Sequence, residues 1–189
     1  MVLTIHSDAS YHSETRARSR VAGHFVLSDS LPDPTKAPKP GEPQPPHNGA
    51  IHIISSILPM VVASATEAEL AALYYNAREA CSIRTTLTEM GHAQPATPIQ
   101  TDNEVAVGLA LNTVKQRRSK AIDMRFYWIR DRITQGQFLV YWRPGNENDA
   151  DYFSKHHPIK HHVAMRPRYL VTTPRVDAEG VLISGQVCV

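Results

Sequence analysis

Cysteine is nearly absent from this chain: two residues, Cys81 and Cys188, stand far apart in 189. Such a pair makes neither a metal-ligand spacing nor a disulfide framework, so a reduced, intracellular protein is expected. Long apolar runs are missing too. The most apolar stretch, Ile51 to Ala65, is broken by His52, Ser55, Ser56 and Pro59 and falls short of a membrane span. The opening residues, Met1 to Asp8, carry neither the basic segment nor the apolar core of a signal peptide. Net charge is small as well. With 20 Lys and Arg against 18 Asp and Glu, a formal +2 does not by itself demand a nucleic-acid partner. These absences argue against a secreted, membrane-embedded or disulfide-stapled protein.

What is present is an ordinary globular composition, 42% hydrophobic and 20% charged, in a chain long enough for one well-buried domain and short for two. Proline is the exception: of 14, half fall between Pro32 and Pro46. Asp29 to His47 can therefore build neither a helix nor a central strand. It is expected to be an extended, mobile insertion in a hairpin, since lengthening a loop costs little. The expected organisation is one domain over residues 1–158, with 29–49 as its Pro-rich hairpin insertion. Residues 159–189 form a C-terminal tail that the pattern does not place.

Periodicity orders the rest. Val2 to Asp8 alternates as a first strand, Val21 to Ser28 reads as a second and Ile51 to Ser56 as a third, entered through the turn signal Asn48-Gly49. Ser64 and Glu67 match a capping box, and Leu70, Leu73, Ala77, Ala80, Cys81 and Leu87 follow at helical spacing up to Gly91. Pro98 to Thr101 reads as a strand and Asn103 to Leu111 as a short helix. Ala121 to Gln135 makes a longer helix with Ile122, Phe126, Ile129 and Ile133 as its apolar stripe. Gln137 to Trp142 is a strand and Glu147 to Lys155 a last helix, stopped by Pro158. The aromatics Tyr74, Phe126, Tyr141 and Trp142 read as core. His156, His157, His161 and His162 read as an exposed basic stretch rather than a zinc site, because no cysteine accompanies them.

Acidic residues recur near the ends of these elements: Asp8, Glu69, Asp102, and the pair Asp149 and Asp151. Carboxylates that converge from distant segments repel unless a cation neutralises them, and hard oxygen ligands suit magnesium or manganese. Two such ions roughly 4 Å apart can activate water and stabilise a leaving oxygen in phosphodiester cleavage. Taken singly, each has an ordinary reading. Asp8 fits a solvated strand end, Glu69 complements its helix dipole, Asp102 is placed to cap the next helix, and Asp149 and Asp151 fit an exposed face.

The segments His6-Ser7-Asp8-Ala9-Ser10, Ser64 to Leu70, Thr101-Asp102-Asn103 and Ala150 to Lys155 occur in this order, with Arg118 to Arg125 and Phe126 to Arg130 between the last two. Together they resemble the ribonuclease H domain of copia-type (Ty1/copia) retrotransposon polyproteins, from about Leu3 to Pro158. The resemblance implies an α/β fold, a mixed five-stranded sheet flanked by helices, in agreement with the element order. It implies hydrolysis of the RNA strand of RNA–DNA hybrids during reverse transcription by two magnesium ions, manganese being the alternative. Asp8, Glu69, Asp102 and Asp151 become the metal-binding catalytic carboxylates, with Asp8 bridging both ions. Glu67 and Asp149 are set aside: each is two residues from its neighbour and diverges from it on a helix, and Glu67 has a capping role. Asp149 stays in reserve. Cellular relatives carry a histidine in the loop before the last carboxylate, whereas here that loop is Arg143-Pro144-Gly145-Asn146.

The basic run Lys115, Arg117, Arg118 and Lys120, with Ser119, precedes a helix bearing Arg125, Trp128 and Arg132. Lys and Arg can pair with phosphates, so these residues, with Ser10 and Asn103 as hydrogen-bonding partners, are the expected nucleic-acid contacts. The implied partners are the hybrid and the reverse transcriptase domain of the same polyprotein, in a cytoplasmic virus-like particle or the nucleus. Two other readings remain: a retroelement fragment that binds nucleic acid without cutting it, and a DNA-cutting nuclease of the same fold.

Overall fold

Apolar and small residues on β1 (Val2–Glu14) let it pair on both sides, and the sheet grows outward from it. The computed structural model describes residues 1–28, 33, 35–43, 49–113, 123–169, 175–176 and 182–183. β2 (Arg18–Ser28) pairs antiparallel with β1, and β3 (Ala50–Ile57) antiparallel with β2. β4 (Thr97–Thr101) lies parallel to β1 on its other side, and β5 (Phe138–Trp142) parallel to β4. The result is a mixed five-stranded sheet in the order β3-β2-β1-β4-β5. β1 outruns the strand expected from alternation because its pairing with β2 continues past Asp8 to Ser10 opposite Arg20 and, after a bulge, resumes at Glu14 opposite Arg18. Backbone pairing, not side-chain period, sets its length.

α1 (Ala65–Glu89) begins at the expected N-cap Ser64, but the return bond of Glu67 goes one residue upstream of the cap. Ser64 Oγ accepts the Glu67 N–H at 3.1 Å, and Glu67 Oε2 accepts the Ala63 N–H at 2.6 Å. It ends where Gly91 adopts φ +90° and the His92 N–H returns to Leu87 O at 2.9 Å. Leu70, Leu73, Ala77, Ala80 and Leu87 pack on Leu3, Ile5, Phe25, Ile99 and Val140 of the sheet. Phe126 and Ile129 of α3 (Asp123–Thr134) and Leu109 of α2 (Glu104–Ala110) complete that core. Each large side chain so buried contributes roughly 1.5–3 kcal/mol. Phe126 and Tyr141 are buried, while Tyr74 and Trp142 pack partly buried against the core.

The helix expected over Glu147–Lys155 is shorter than its sequence suggests. A 3-10 turn at Gly145–Glu147 is followed by α4, which spans only Asp151–Ser154. Asn148 prevents an earlier start: its Oδ1 accepts the Ala150 N–H at 3.1 Å while its Nδ2 donates to Ser7 O at 2.9 Å. A side chain that competes for backbone groups and ties them to β1 leaves no helix there.

The chain divides into two compact units, Met1–His156 and His157–Val189. The first holds the sheet, α1 to α4 and the cores above. In the second, the stretch without clear pattern contains α5 (Ile159–Tyr169), with Pro167 near its end, and a two-residue antiparallel pair, β6 (Arg175–Val176) with β7 (Leu182–Ile183). The His157 and His161 rings stack there at 4.2 Å. Among the described residues, no helix is long and apolar enough to cross a membrane.

Candidate metal centre

Four acidic side chains arrive from four segments. Asp8 lies on β1 two residues beyond His6, which pairs with Gln100 of the parallel β4. Asp102 directly follows β4, so Asp8, within β1, and Asp102 both stand just beyond the last parallel β1–β4 pair, on the side where open α/β sheets place their sites. Asp151 opens α4, and Glu69 projects from the start of α1. Carboxylate oxygens of Asp8, Asp102 and Asp151 lie within 4.8 Å of one another. Among the described residues, no other group of three His, Cys, Asp or Glu side chains converges in this way.

Glu69 stands close enough to feel the Asp8 and Asp102 charges but is not one of the converging three. It is 5% exposed; its Oε1 accepts the Ala9 N–H at 3.0 Å and its Oε2 the Thr101 hydroxyl at 3.2 Å. Those partners adjoin Asp8 and Asp102, so one carboxylate links α1 to both strand ends. Burial, then the Asp8 and Asp102 charges, hold Glu69 well above the ordinary carboxyl range. Asp8 is also raised, by burial first, with Asp102 adding to the rise. The Ser154 hydroxyl, donating to Asp8 Oδ2, pulls it back, and Lys155 opposes the rise more weakly. Lys155 Nζ itself reaches one turn back to Asp151 Oδ1.

The set is all oxygen, mutually repelling and only partly offset by Lys155. Those properties fit a hard divalent cation such as magnesium or manganese.

The neighbouring acids have other work. Glu67 accepts the Ala63 N–H ahead of α1, on the opposite side of the helix from Glu69. Asp149 is 7% exposed rather than on an open face, and its N–H donates to His6 Nδ1 at 2.9 Å. The same nitrogen lies 3.5 Å from Asp149 Oδ2. Asp102 does not cap α2; Asn103 does, its Oδ1 accepting the Ala106 N–H at 2.9 Å. This leaves the Asp102 carboxylate for the cluster. Gly145 passes so close that a Cβ there would stand 2.9 Å from Asp102 Oδ2.

The expected nucleic-acid contacts are less uniform. Lys115, Arg117, Arg118, Ser119 and Lys120 lie outside the described residues. Ser10 is buried in the β1–β2 hairpin, bonded to Ser13 Oγ and to the Arg20 N–H. Asn103 is engaged as a cap. Arg125 stands over the Tyr74 and Tyr75 rings at 5.8 and 5.9 Å and reaches Met60 Sδ. Ser154, Thr101, Asn148 and Arg143 are site residues that the sequence reading missed. Ser154 and Thr101 lie inside quoted motifs, whereas Asn148 and Arg143 carry no local signal.

No protein-family profile matches the chain. Over 107 residues, 57% of its length, it is 33% identical to the retrovirus-related Pol polyprotein from transposon TNT 1-94 of Nicotiana tabacum. It spans 8% of that relative. Among solved structures, it is similar to the N-terminal ribonuclease H domain of a Mycobacterium tuberculosis protein. That likeness has a TM-score of 0.54 at 13% identity, covering 81% of this chain and 90% of the other. It is also similar to a ribonuclease H1 isolated from compost by a metagenomic approach, in complex with an RNA/DNA hybrid. There the TM-score is 0.53 at 12% identity, covering 80% and 92%. These structures share the fold: a mixed five-stranded sheet with flanking helices.

Proposed function

Taking as premise a ribonuclease H-fold domain related to retrotransposon Pol polyproteins, we propose that this chain hydrolyses the RNA strand of RNA–DNA hybrids during copia-type reverse transcription. The observation that carries the reading is the convergence of Asp8, Asp102 and Asp151 at the strand ends, with buried Glu69 beside them. The hybrid bound by the compost enzyme supports the choice of substrate.

Asp8, Glu69, Asp102 and Asp151 would hold two magnesium ions, or manganese in their place. Bound there, the ions supply an activated water and stabilise the leaving oxygen. The bond broken joins phosphorus to the 3′ oxygen, leaving a 3′-hydroxyl and a 5′-phosphate. The chain's own residues prepare the site. Ser154 orients Asp8 through Oδ2, and the Ala9 N–H and Thr101 hydroxyl fix both oxygens of Glu69. Lys155 offsets part of the Asp151 charge. Arg125 and the Lys115–Lys120 run would follow phosphates, giving grip that depends on salt more than on base sequence. We assign this work to residues 1–158, with 29–49 as an insertion, and take the reverse transcriptase region of the same polyprotein as partner, in a virus-like particle or the nucleus.

The test is cleavage of an end-labelled RNA–DNA hybrid with magnesium, beside single-stranded RNA, duplex DNA and the Asp102→Asn variant. Hybrid-only cleavage, lost in the variant, is expected. Cleavage of duplex DNA would reassign the substrate, and hybrid binding without metal-dependent cleavage would make the chain a binding module.

A further inference from the structure

The Pro-rich insertion exceeds what the fold needs, yet its described part is tied to the loop beside the carboxylates. Lys39-Pro40-Gly41-Glu42 closes a turn: the Glu42 N–H donates to Lys39 O at 3.1 Å, and the Lys39 N–H to Glu42 Oε2 at 2.8 Å. Pro40 at the second position and Gly41 at φ +78° in the third match the requirements of a type II turn. Lys39–Glu42 is therefore turned and docked rather than extended.

Its anchor is Arg143, a hundred residues away and 3% exposed. Nη1 donates to Lys39 O and Nη2 to Glu42 O, each at 3.1 Å. Nε donates to Glu147 Oε2 at 2.5 Å, and Nη2 pairs with the same oxygen. A buried guanidinium needs such acceptors, and its five donors in a rigid planar fork reach three groups in fixed directions.

Arg143 and Glu147 bound the loop that carries Gly145 against Asp102. The loop is held to β4 at both ends, by the Arg143 N–H on Thr101 O at 3.1 Å and by Gln100 Nε2 on Glu147 O at 2.8 Å. Beyond it, Asn148 leads to Asp151. Removing the turn would leave Arg143 with buried donors and the loop with one wall fewer.

We propose that the Pro-rich insertion is a brace for the carboxylate cluster, acting through Arg143 as a positioning residue. The brace itself stands on geometry; only its consequence for metal affinity rests on the proposed metal centre. Groups that orient ligands from outside typically change metal affinity 10–100-fold when lost.

The experiment uses the full chain with two variants. In one, residues 30–47 are replaced by a short Gly-Ser linker. In the other, Gly41→Val strains the turn at its positive φ without touching the cluster. Amide hydrogen exchange over residues 144–151 is measured beside magnesium titration read by Trp142 fluorescence, in a Trp128→Phe background. Trp142 is a suitable reporter because its Nε1 donates to Asp102 O at 2.9 Å. Both variants are expected to exchange faster in the loop and to bind magnesium roughly tenfold more weakly, with β1–β2 protection unchanged. Unchanged loop exchange and magnesium affinity would overturn the brace. If the linker variant does not fold, Gly41→Val decides. Exchange is independent of catalysis, so faster loop exchange in a chain that never cleaves hybrid supports the brace while refuting the nuclease reading.

Discussion

Two polar clusters sit a few residues apart on β1 and are built on opposite rules. Around Ser7, donors meet acceptors. Asn148 Nδ2 donates to Ser7 O at 2.9 Å, Asn76 Nδ2 donates to Ser7 Oγ at 2.8 Å and Ala22 O at 2.9 Å, and the Asp149 N–H donates to His6 Nδ1 at 2.9 Å. Around Asp8, acceptors face acceptors, with three carboxylates inside 4.8 Å and a buried fourth beside them. The first arrangement stabilises the fold by itself, because each of these buried N–H donors gains an acceptor. The second opposes folding until a cation enters, because burial and like charge both disfavour ionised carboxylates. The difference separates residues that hold the site in place from residues that hold something in it.

Exchanging a member of each cluster should give opposite results. Asp102→Asn is expected to abolish most hybrid cleavage, well beyond the roughly 10–100-fold typical of outer partners. The same change should leave melting in chelator unchanged or raise it, because repulsion is relieved. Asn148→Ala should do the reverse in stability. It removes two buried hydrogen bonds and leaves a small cavity, a cost of about 2–4 kcal/mol that thermal denaturation in chelator would detect. A melting point unmoved by Asn148→Ala would end the distinction.

The pH dependence sharpens it further. Glu69 and Asp8 have raised carboxyl pKa values in the folded chain. Their contribution to stability is then fully present below the ordinary carboxyl range and lost as pH rises through the folded values. Metal-free protein is expected to melt higher at about pH 4.5 than at pH 7.5, within the limits set by other groups. Magnesium should raise the melting point mainly at the higher pH; at 100 times its dissociation constant it adds about 2.7 kcal/mol. Equal stabilisation at both values would show that these carboxylates do not bind the ion. The smallest effect belongs to Ser154→Ala. Losing the hydroxyl that donates to Asp8 Oδ2 should raise the Asp8 pKa further and cut cleavage several-fold at low pH, with recovery as pH rises.

Much of this was legible locally. The Ser64–Glu67 box and the spacing of Leu70, Leu73 and Ala77 follow from interactions within one or two turns, which sequence spacing encodes directly. So does the divergence of Glu67 from Glu69, a matter of helical angle. The ordered acidic blocks, by contrast, were legible only through the resemblance to a family. The helix expected over Glu147–Lys155 came out as α4 alone because a distant partner, Ser7, claimed Asn148.

By itself, then, the sequence determined the start of α1 and the order of elements along the chain, and its resemblance to a family singled out the four carboxylates worth watching. Tertiary structure alone decided that Asp8, Asp102 and Asp151 meet while Asp149 turns inward to His6, and that Arg143 grips Lys39 and Glu42 across the chain. The physical reason is range: caps and amphipathic stripes are settled by neighbours three or four residues away. Convergence of charges and pairing of a buried guanidinium depend on where the whole sheet carries them.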